Sequence, residues 1–343
     1  TDDNSDWCFV CDERGQLLCC DTCPRAMHLG CVKMKAFPKR GWNCPYCIIA
    51  AQNNGDGSFT DVTKRAGVWV PTARGLGVIC PDVNDDGWAD IYVANDMNPN
   101  TLFINQGNGT FKEEGQLRGC AYNSDGIANG SMGVDVGDYD NDGDMDLWVT
   151  NFSLEANCLM ANDGGGYFDD LTFDIGLAEP SFVPLAFGTK FIDYDNDGWL
   201  DIYVTNWAGA ESGGEVGIPP QAQPDALWRN LRDGTFEDVS DQLPSLTRDA
   251  LGMATAFLDF DGDGLLDLFQ SNDRGVIYVP HRAFRNLGPD RDGRLQFEDV
   301  SSELSFGFPM NGMGLSLADI DGDLDPDFLL TGNFETILRW QEP

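Results

Sequence analysis

Oxygen-bearing side chains recur at fixed spacing in Asp138-Tyr139-Asp140-Asn141-Asp142-Gly143-Asp144-Met145-Asp146. They fall at positions 1, 3, 5 and 9 of the run, with glycine at position 6. A hard cation such as calcium takes six to eight oxygens at about 2.3–2.6 Å, and a tight loop supplies them by turning alternate side chains inward. The backbone carbonyl of position 7, here Asp144, adds a further ligand. Glycine at position 6 permits the sharp turn, because a residue without Cβ takes positive φ at little cost.

The pattern returns as Asp82, Asn84, Asp86 and Asp90 around Gly87, with Trp88 at position 7. It returns again as Asp193, Asp195, Asp197 and Asp201 around Gly198, with Trp199 at position 7, and as Asp259, Asp261, Asp263 and Asp267 around Gly264, with Leu265 there. A fifth copy holds Asp319, Asp321, Asp323, Asp325 and Asp327, but Leu324 replaces the glycine and Pro326 precedes the last ligand. For any one copy alone, an Asx-rich surface turn is the alternative reading. Recurrence in one local context favours metal loops, so four to five calcium ions are expected.

A second ligand set lies at the N-terminus, where eight of the eleven cysteines and His28 fall within residues 1–50. The order is Cys8-x2-Cys11, Cys20-x2-Cys23, His28-x2-Cys31 and Cys44-x2-Cys47, with Cys19 left over. Two-residue gaps let paired ligands reach one zinc ion, so four pairs make two tetrahedral sites. A disulfide framework is the alternative. Close pairing with a histidine in the series suits metal better.

Charge separates the chain into the same two parts. Residues 1–50 carry six acidic and six basic side chains, so the net charge of −36 arises entirely after residue 50. Such a field repels phosphate backbones and disfavours nucleic acid as a partner of the larger part. No run reaches the roughly 18 apolar residues of a membrane span. The first residue is Thr1, which leaves a processed N-terminus open. The predicted domains are residues 1–50 and 51–343, joined by a short link from Ile48 to Gln52.

The elements that position the acidic loops recur at about 55–66 residues. A small-residue segment such as Gly130–Val136 leads into each loop. A β-rich run follows it: Ile91–Val93, Leu147–Val149, Ile202–Val204, Leu268–Phe269. The third strand ends in asparagine at Asn105, Asn162, Asn230 and Asn286, and the fourth starts from Phe111, Phe168, Phe236 or Phe297. Asn108-Gly109 and Asp233-Gly234 suit tight hairpins between the last two. Four-stranded units at this period predict an all-β propeller of about five blades. Its expected closure pairs an N-terminal fourth strand, Gly57–Thr63, with a C-terminal third strand, Ile337–Trp340. That leaves no exposed edge.

Over residues 6–48 the run Gly15–His28, with Trp42 two residues before Cys44, resembles a PHD finger. The resemblance implies a cross-brace, with Cys8, Cys11, His28 and Cys31 on one zinc and Cys20, Cys23, Cys44 and Cys47 on the other. It also implies a possible histone H3-tail partner, added as a strand beside Gly15–Leu18. Asp2, Asp3 and Asp6 look like the subgroup preferring unmodified lysine. Over about residues 53–340 the loops and the Phe236-Glu237-Asp238-Val239-Ser240 style resemble FG-GAP (VCBS) repeats of integrin α and cartilage acidic protein relatives. This second resemblance implies a calcium-binding propeller used for adhesion or protein contact outside the cell.

Asn108, Asn129 and Asn151 stand in Asn-x-Ser/Thr triplets, candidates for glycosylation in a secreted chain. Cys80, Cys120 and Cys158 read as small buried residues, and Ala208–Asp225, rich in Gly and Pro, reads as a surface insertion or a partner-binding loop. His281 has no evident nucleophile or carboxylate partner, and no catalytic constellation is visible. The sequence therefore predicts a non-enzymatic extracellular scaffold for adhesion, protein contact or head-to-tail self-assembly, with the zinc module as a docking knob. A nuclear histone reader with a propeller platform is the alternative.

Overall fold

The computed structural model describes residues 58–207, 223–275, 278–291, 294–318 and 326–333, with the backbone of three short strands nearer the N-terminus. Those three are β1 (Leu17–Cys19), antiparallel to β2 (Ala26–His28), and β3 (Ala51–Asn53), which pairs with β4 (Phe59–Asp61).

Four antiparallel four-stranded sheets follow, each a simple meander. Blade 1 is β5 (Gly75–Ile79), β6 (Ile91–Asn95), β7 (Thr101–Asn105) and β8 (Phe111–Glu113). Blade 2 is β9 (Ser131–Gly137), β10 (Asp146–Asn151), β11 (Cys158–Asn162) and β12 (Phe168–Asp170). Blade 3 is β13 (Ala186–Ile192), β14 (Asp201–Asn206), β15 (Ala226–Asn230) and β16 (Phe236–Asp238). Blade 4 is β17 (Gly252–Leu258), β18 (Asp267–Asn272), β19 (Arg282–Pro289) and β20 (Leu295–Asp299). A fifth sheet is described as the pair β21 (Asn311–Ala318) and β22 (Asp327–Asn333).

The second strands read as continuous apolar runs because each is covered on both faces. Side chains alternate across a strand, so neighbouring residues serve different blades. Leu147 and Val149 join the core shared with Tyr92 and Leu102 of blade 1. Trp148 between them joins Ile202, Val204 and Trp228 of blade 3, meeting Trp228 edge-on at 5.8 Å.

The first strands β5, β9, β13, β17 and β21 pack in that order around an axial cavity of about 360 Å³, lined among others by Met132, Met253 and Met313. Glycine is needed where they approach: a Cβ on Gly133 would lie 2.0 Å from the Phe187 carbonyl oxygen. The ladder between first and second strands shifts register at the same place in all five sheets. That is a β-bulge where small residues allow one.

Some expectations change. Ala51 and Gln52, read as the end of the link, form a strand with Asn53, which stands before Phe59 by the same offset as Asn105 before Phe111. Of the expected strand Gly57–Thr63, Phe59–Asp61 is strand and pairs with β3, while Thr63 opens a short helix over Thr63–Ala66; the expected partner Ile337–Trp340 lies outside the described residues. Cys120 and Cys158 are buried free thiols as expected, but Cys80 is exposed. Residues 208–222 of the insertion lie outside the described residues, and its end, Asp225, is buried.

Of the three glycosylation candidates, Asn108 is exposed in the β7–β8 hairpin. Asn129 and Asn151 are 7% and 0% exposed. Asn151 Nδ2, the atom a glycan would need, donates to the Ala156 carbonyl at 2.6 Å. These two are core asparagines, and the sequence triplets misread them.

Candidate metal centre

Each acidic loop connects the first strand of a blade to the second, so all four described loops sit at equivalent places. They fold alike around the carboxylate of position 1. In loop 2, Asp138 accepts from the Asp142 and Gly143 amides, both at 3.0 Å. Asp82, Asp193 and Asp259 accept the same pair of amides in loops 1, 3 and 4, at 2.7–3.1 Å in loop 1, for example. Position 5 then accepts the amide of position 7, as Trp199 N donates to Asp197 Oδ1 at 2.9 Å. Gly87, Gly143, Gly198 and Gly264 all take positive φ, from 85° to 99°.

These turns bring carboxylates together, with an arginine reaching one member of the trio in loops 3 and 4. Oxygens of Asp138, Asp140 and Asp146, of Asp193, Asp195 and Asp197, and of Asp259, Asp261 and Asp263 each gather within 4.8 Å. Burial, followed by the charges of Asp197 and Asp193, raises the Asp195 carboxyl above its usual range. Asp140 is raised likewise by burial and by Asp142 and Asp138. Loop 1 has Asn84 in place of a third carboxylate, and the buried Asn84 Oδ1 has no donor. An all-oxygen donor set of this kind fits calcium rather than a softer metal. Trp88, Asp144, Trp199 and Leu265 stand where a position-7 carbonyl would complete it.

Position 9 does more than the spacing suggested. Asp90, Asp146, Asp201 and Asp267 are 0–1% exposed. In each, one oxygen accepts the amide of loop position 2 and the other accepts the amide of the third-strand asparagine, which ends the strand in blades 1 to 3 but lies inside β19 in blade 4. For Asp201 these are Tyr194 N at 3.2 Å and Asn230 N at 2.8 Å. Burial outweighs both bonds and pushes the Asp146 and Asp201 carboxyls up to about 7.

The asparagines then reach across blades. Asn162 Nδ2 donates to Val83 O of loop 1, and Asn230 Nδ2 to Tyr139 O of loop 2, both at 2.8 Å. Their recurrence was visible in the sequence. Their role was not. Two arginines also escaped notice: Arg232 pairs with Asp197, and Arg285 Nε donates to Asp261 Oδ2 at 2.9 Å.

Away from the loops, the amide of the asparagine ending each second strand is capped by a side chain preceding the third: Asn100, Asn157, Asp225 and His281. His281 is thus a buried core histidine, its Nδ1 accepting from Asn272 N at 3.0 Å, and burial lowers it to about 4. Asp225 is the odd member, a buried carboxyl pushed up to about 7 by burial. It accepts from Asn206 N, Tyr203 Oη and Gln270 Nε2 at 2.8–2.9 Å.

An acid whose folded pKa is raised keeps its proton in the fold while the unfolded chain has released it. Its stability contribution is therefore full below about pH 4 and lost as pH rises through about 7. Asp225→Asn, which matches blades 1 and 2 and lets the Gln270 amide turn over, removes this loss. The variant should gain on wild type by about 2–4 kcal/mol between pH 4 and 8. Urea denaturation across that range reads the difference, and parallel curves would contradict it.

The eight zinc candidates, Cys8, Cys11, Cys20, Cys23, His28, Cys31, Cys44 and Cys47, have side chains outside the described residues, as do Asp319, Asp321, Asp323 and Asp325 of the fifth loop. Asp327 opens β22, half-buried.

Comparison with known proteins agrees with both halves. Residues 82–149 and 193–270 match the FG-GAP-like repeat, and residues 8–47 match the PHD-finger. Cartilage acidic protein 1 of Mus musculus is 30% identical over 235 residues, covering 66% of this chain and 33% of that protein. E3 ubiquitin-protein ligase TRIM33 of Danio rerio is 46% identical over 48 residues, covering 13% of this chain and 4% of that protein. The chain spans about a third of the length of the cartilage acidic relatives it matches.

Among solved structures, an Agrocybe aegerita lectin that recognises non-reducing terminal N-acetylglucosamine aligns at TM-score 0.39 and 19% identity, over 74% of this chain and 60% of its own. The V. cholerae biofilm matrix protein Bap1 aligns at 0.36 and 17%, over 77% and 36%. Likenesses this loose carry no argument. The chain is an FG-GAP-repeat propeller preceded by a PHD-type finger. Its larger part is homologous to cartilage acidic protein 1. Those relatives and the repeat belong to non-enzymatic families; the ligase name belongs to a protein matched over the finger alone. The finger implies zinc, and FG-GAP repeats commonly bind calcium.

Proposed function

We propose that this chain is a non-catalytic interaction scaffold that works outside the cell, its propeller held by four to five calcium ions and its finger by two zinc ions. The observation that carries the reading is the four like-folded loops, three of which gather carboxylates whose mutual repulsion a bound cation would relieve. Sites of this type filled by external calcium suit adhesion or matrix contact. Homology to a cartilage protein supports the same setting. The finger serves as a docking knob, and two unlike rigid surfaces on one chain support head-to-tail self-association. No helix among the described residues is long and apolar enough to cross a membrane.

Native mass spectrometry of the full chain, secreted from eukaryotic cells, tests this reading. It should count two zinc ions, four to five calcium ions and a single glycan, at Asn108. A chain that emerges without calcium, or is never secreted in folded form, refutes it.

The finger favours one second reading, a nuclear protein that binds the histone H3 tail. β1 pairs with β2 in the register Leu17↔His28, Leu18↔Met27, which makes β1 the strand that a peptide would extend in this reading. Calorimetric titration with an unmodified H3 N-terminal peptide should then give micromolar binding, and flat heats would remove the reading.

A further inference from the structure

Neighbouring metal loops are bonded to one another. Asn141, fourth in loop 2, donates its Nδ2–H to the Gly198 carbonyl of loop 3 at 3.2 Å. Asn196, fourth in loop 3, repeats this on the Gly264 carbonyl of loop 4 at 3.0 Å. Both asparagines hold φ near 60°, at 59° and 57°, a conformation asparagine adopts more readily than most residues with a side chain.

The accepting carbonyl does not stand alone. Gly198 C=O belongs to the same peptide as Trp199 N–H, which donates to Asp197 Oδ1 at 2.9 Å. Gly264 C=O belongs with Leu265 N–H, which donates to Asp263 Oδ1 at 2.9 Å. One peptide thus links the fourth residue of each loop to the fifth-position ligand of the next. Asn196 adjoins Asp197 in the chain, so the path is continuous from loop 2 to loop 4.

Among the described residues, loops 1 and 4 lack this donor. Loop 1 has Asp85 at its fourth position, with φ 51°. An ionised carboxylate has no proton to donate. Asp85 instead lies near enough to Asp144 of loop 2 for their charges to oppose. Loop 4 has Gly262 there, without a side chain.

We propose that loops 2, 3 and 4 take up calcium as one coupled set through Asn141 and Asn196, while loop 1, which meets loop 2 through the strand asparagine Asn162 and lacks the fourth-position donor, stands outside that set. This rests on the calcium reading above. Metal in one loop fixes its Asp–Asn–Asp segment and so orders the donor that the neighbour's peptide needs. A hydrogen bond accepted at a carbonyl also strengthens the N–H of the same peptide. Coupling between sites of about tenfold in affinity is within the ordinary range. By reciprocity, filling loop 3 tightens loop 2 by the same factor with which loop 2 tightens loop 3, and the same holds between loops 3 and 4.

Terbium luminescence of the full chain tests it loop by loop, because tryptophan occupies position 7 only in loops 1 and 3, as Trp88 and Trp199. With excitation at the long-wavelength edge that tryptophan absorbs and tyrosine does not, Trp88→Phe leaves loop 3 as the loop with tryptophan at position 7, and Trp199→Phe leaves loop 1. Loop 3 should fill steeply, with a Hill coefficient clearly above 1, and loop 1 along a simple hyperbola. Asn141→Gly and Asn196→Gly keep the left-handed backbone, as Gly262 does at the same position, and remove only the donor. Each should flatten the loop 3 curve and weaken it about tenfold, leaving loop 1 unchanged. Separate variants keep the test decisive if one of them fails to fold. A hyperbolic loop 3 curve in the parent, or unchanged steepness in the glycine variants, overturns the coupling while calcium binding stands. A chain that takes up neither terbium nor calcium overturns both.

Discussion

Chelation of calcium from the full chain is expected to lower its melting temperature by about 20 °C. A ligand present at a hundred times its dissociation constant stabilises by about 2.7 kcal/mol per site. Four loops then supply roughly 11 kcal/mol, comparable with the whole stability of an ordinary domain. At about 2 °C per kcal/mol for a domain of this size, the shift is about 20 °C. The direction follows from the loops themselves: without metal, the oxygens of Asp193, Asp195 and Asp197 remain within 4.8 Å of one another. Arg232 and Arg285 reach only two of the ligands, Asp197 and Asp261. Magnesium should restore little, since it demands near-octahedral oxygens at about 2.0–2.1 Å and gives up its water reluctantly. Scanning calorimetry in calcium, magnesium and chelator gives the comparison. A shift below about 5 °C would mean that the carboxylate trios tolerate their own repulsion, and the calcium reading would fail.

The acidic loops were legible because their chemistry is local. Five ligand positions and a glycine occupy nine consecutive residues, and nothing distant is needed to recognise them. The second strands were legible as strands for the opposite reason: Leu147-Trp148-Val149 is apolar throughout because two other blades cover its two faces. What the sequence concealed is every pairing that crosses a blade boundary. Asn162 is one more strand-end asparagine until its amide is seen on Val83 O, 79 residues away. Asn129 and Asn151 carry the triplet of a surface glycan site, yet bulged first strands and capped second strands bury them. Asp225 looked like the end of a loose insertion, whereas it replaces the asparagine that caps the same amide in blades 1 and 2. In each case the local pattern was visible, and its meaning was set by packing partners that the pattern does not show.

The same distinction separates two aspartates six residues apart in loop 3. Asp201→Ala is expected to destabilise the protein by about 3–5 kcal/mol even in chelator. The substitution strips an acceptor from Tyr194 N and Asn230 N, in a site where Asp201 is 1% exposed. An orphaned buried donor costs about 1–3 kcal/mol, and two are left, offset in part by relief of burying the carboxyl. Asp195→Asn should behave in the reverse manner. Its carboxyl is raised by burial and by the charges of Asp197 and Asp193, so neutralising it in chelator costs nothing or stabilises slightly. In calcium the same substitution removes a charged ligand, and loop 3 should lose most of the roughly 2.7 kcal/mol that metal supplies there. Urea denaturation of both variants, with and without calcium, gives four numbers that cannot be matched by a single role for all loop carboxylates. If Asp201→Ala were harmless in chelator, position 9 would be a ligand and nothing more. If Asp195→Asn were as costly in chelator as in calcium, position 3 would be a structural residue, and the trio would owe its geometry to the fold instead of to the ion.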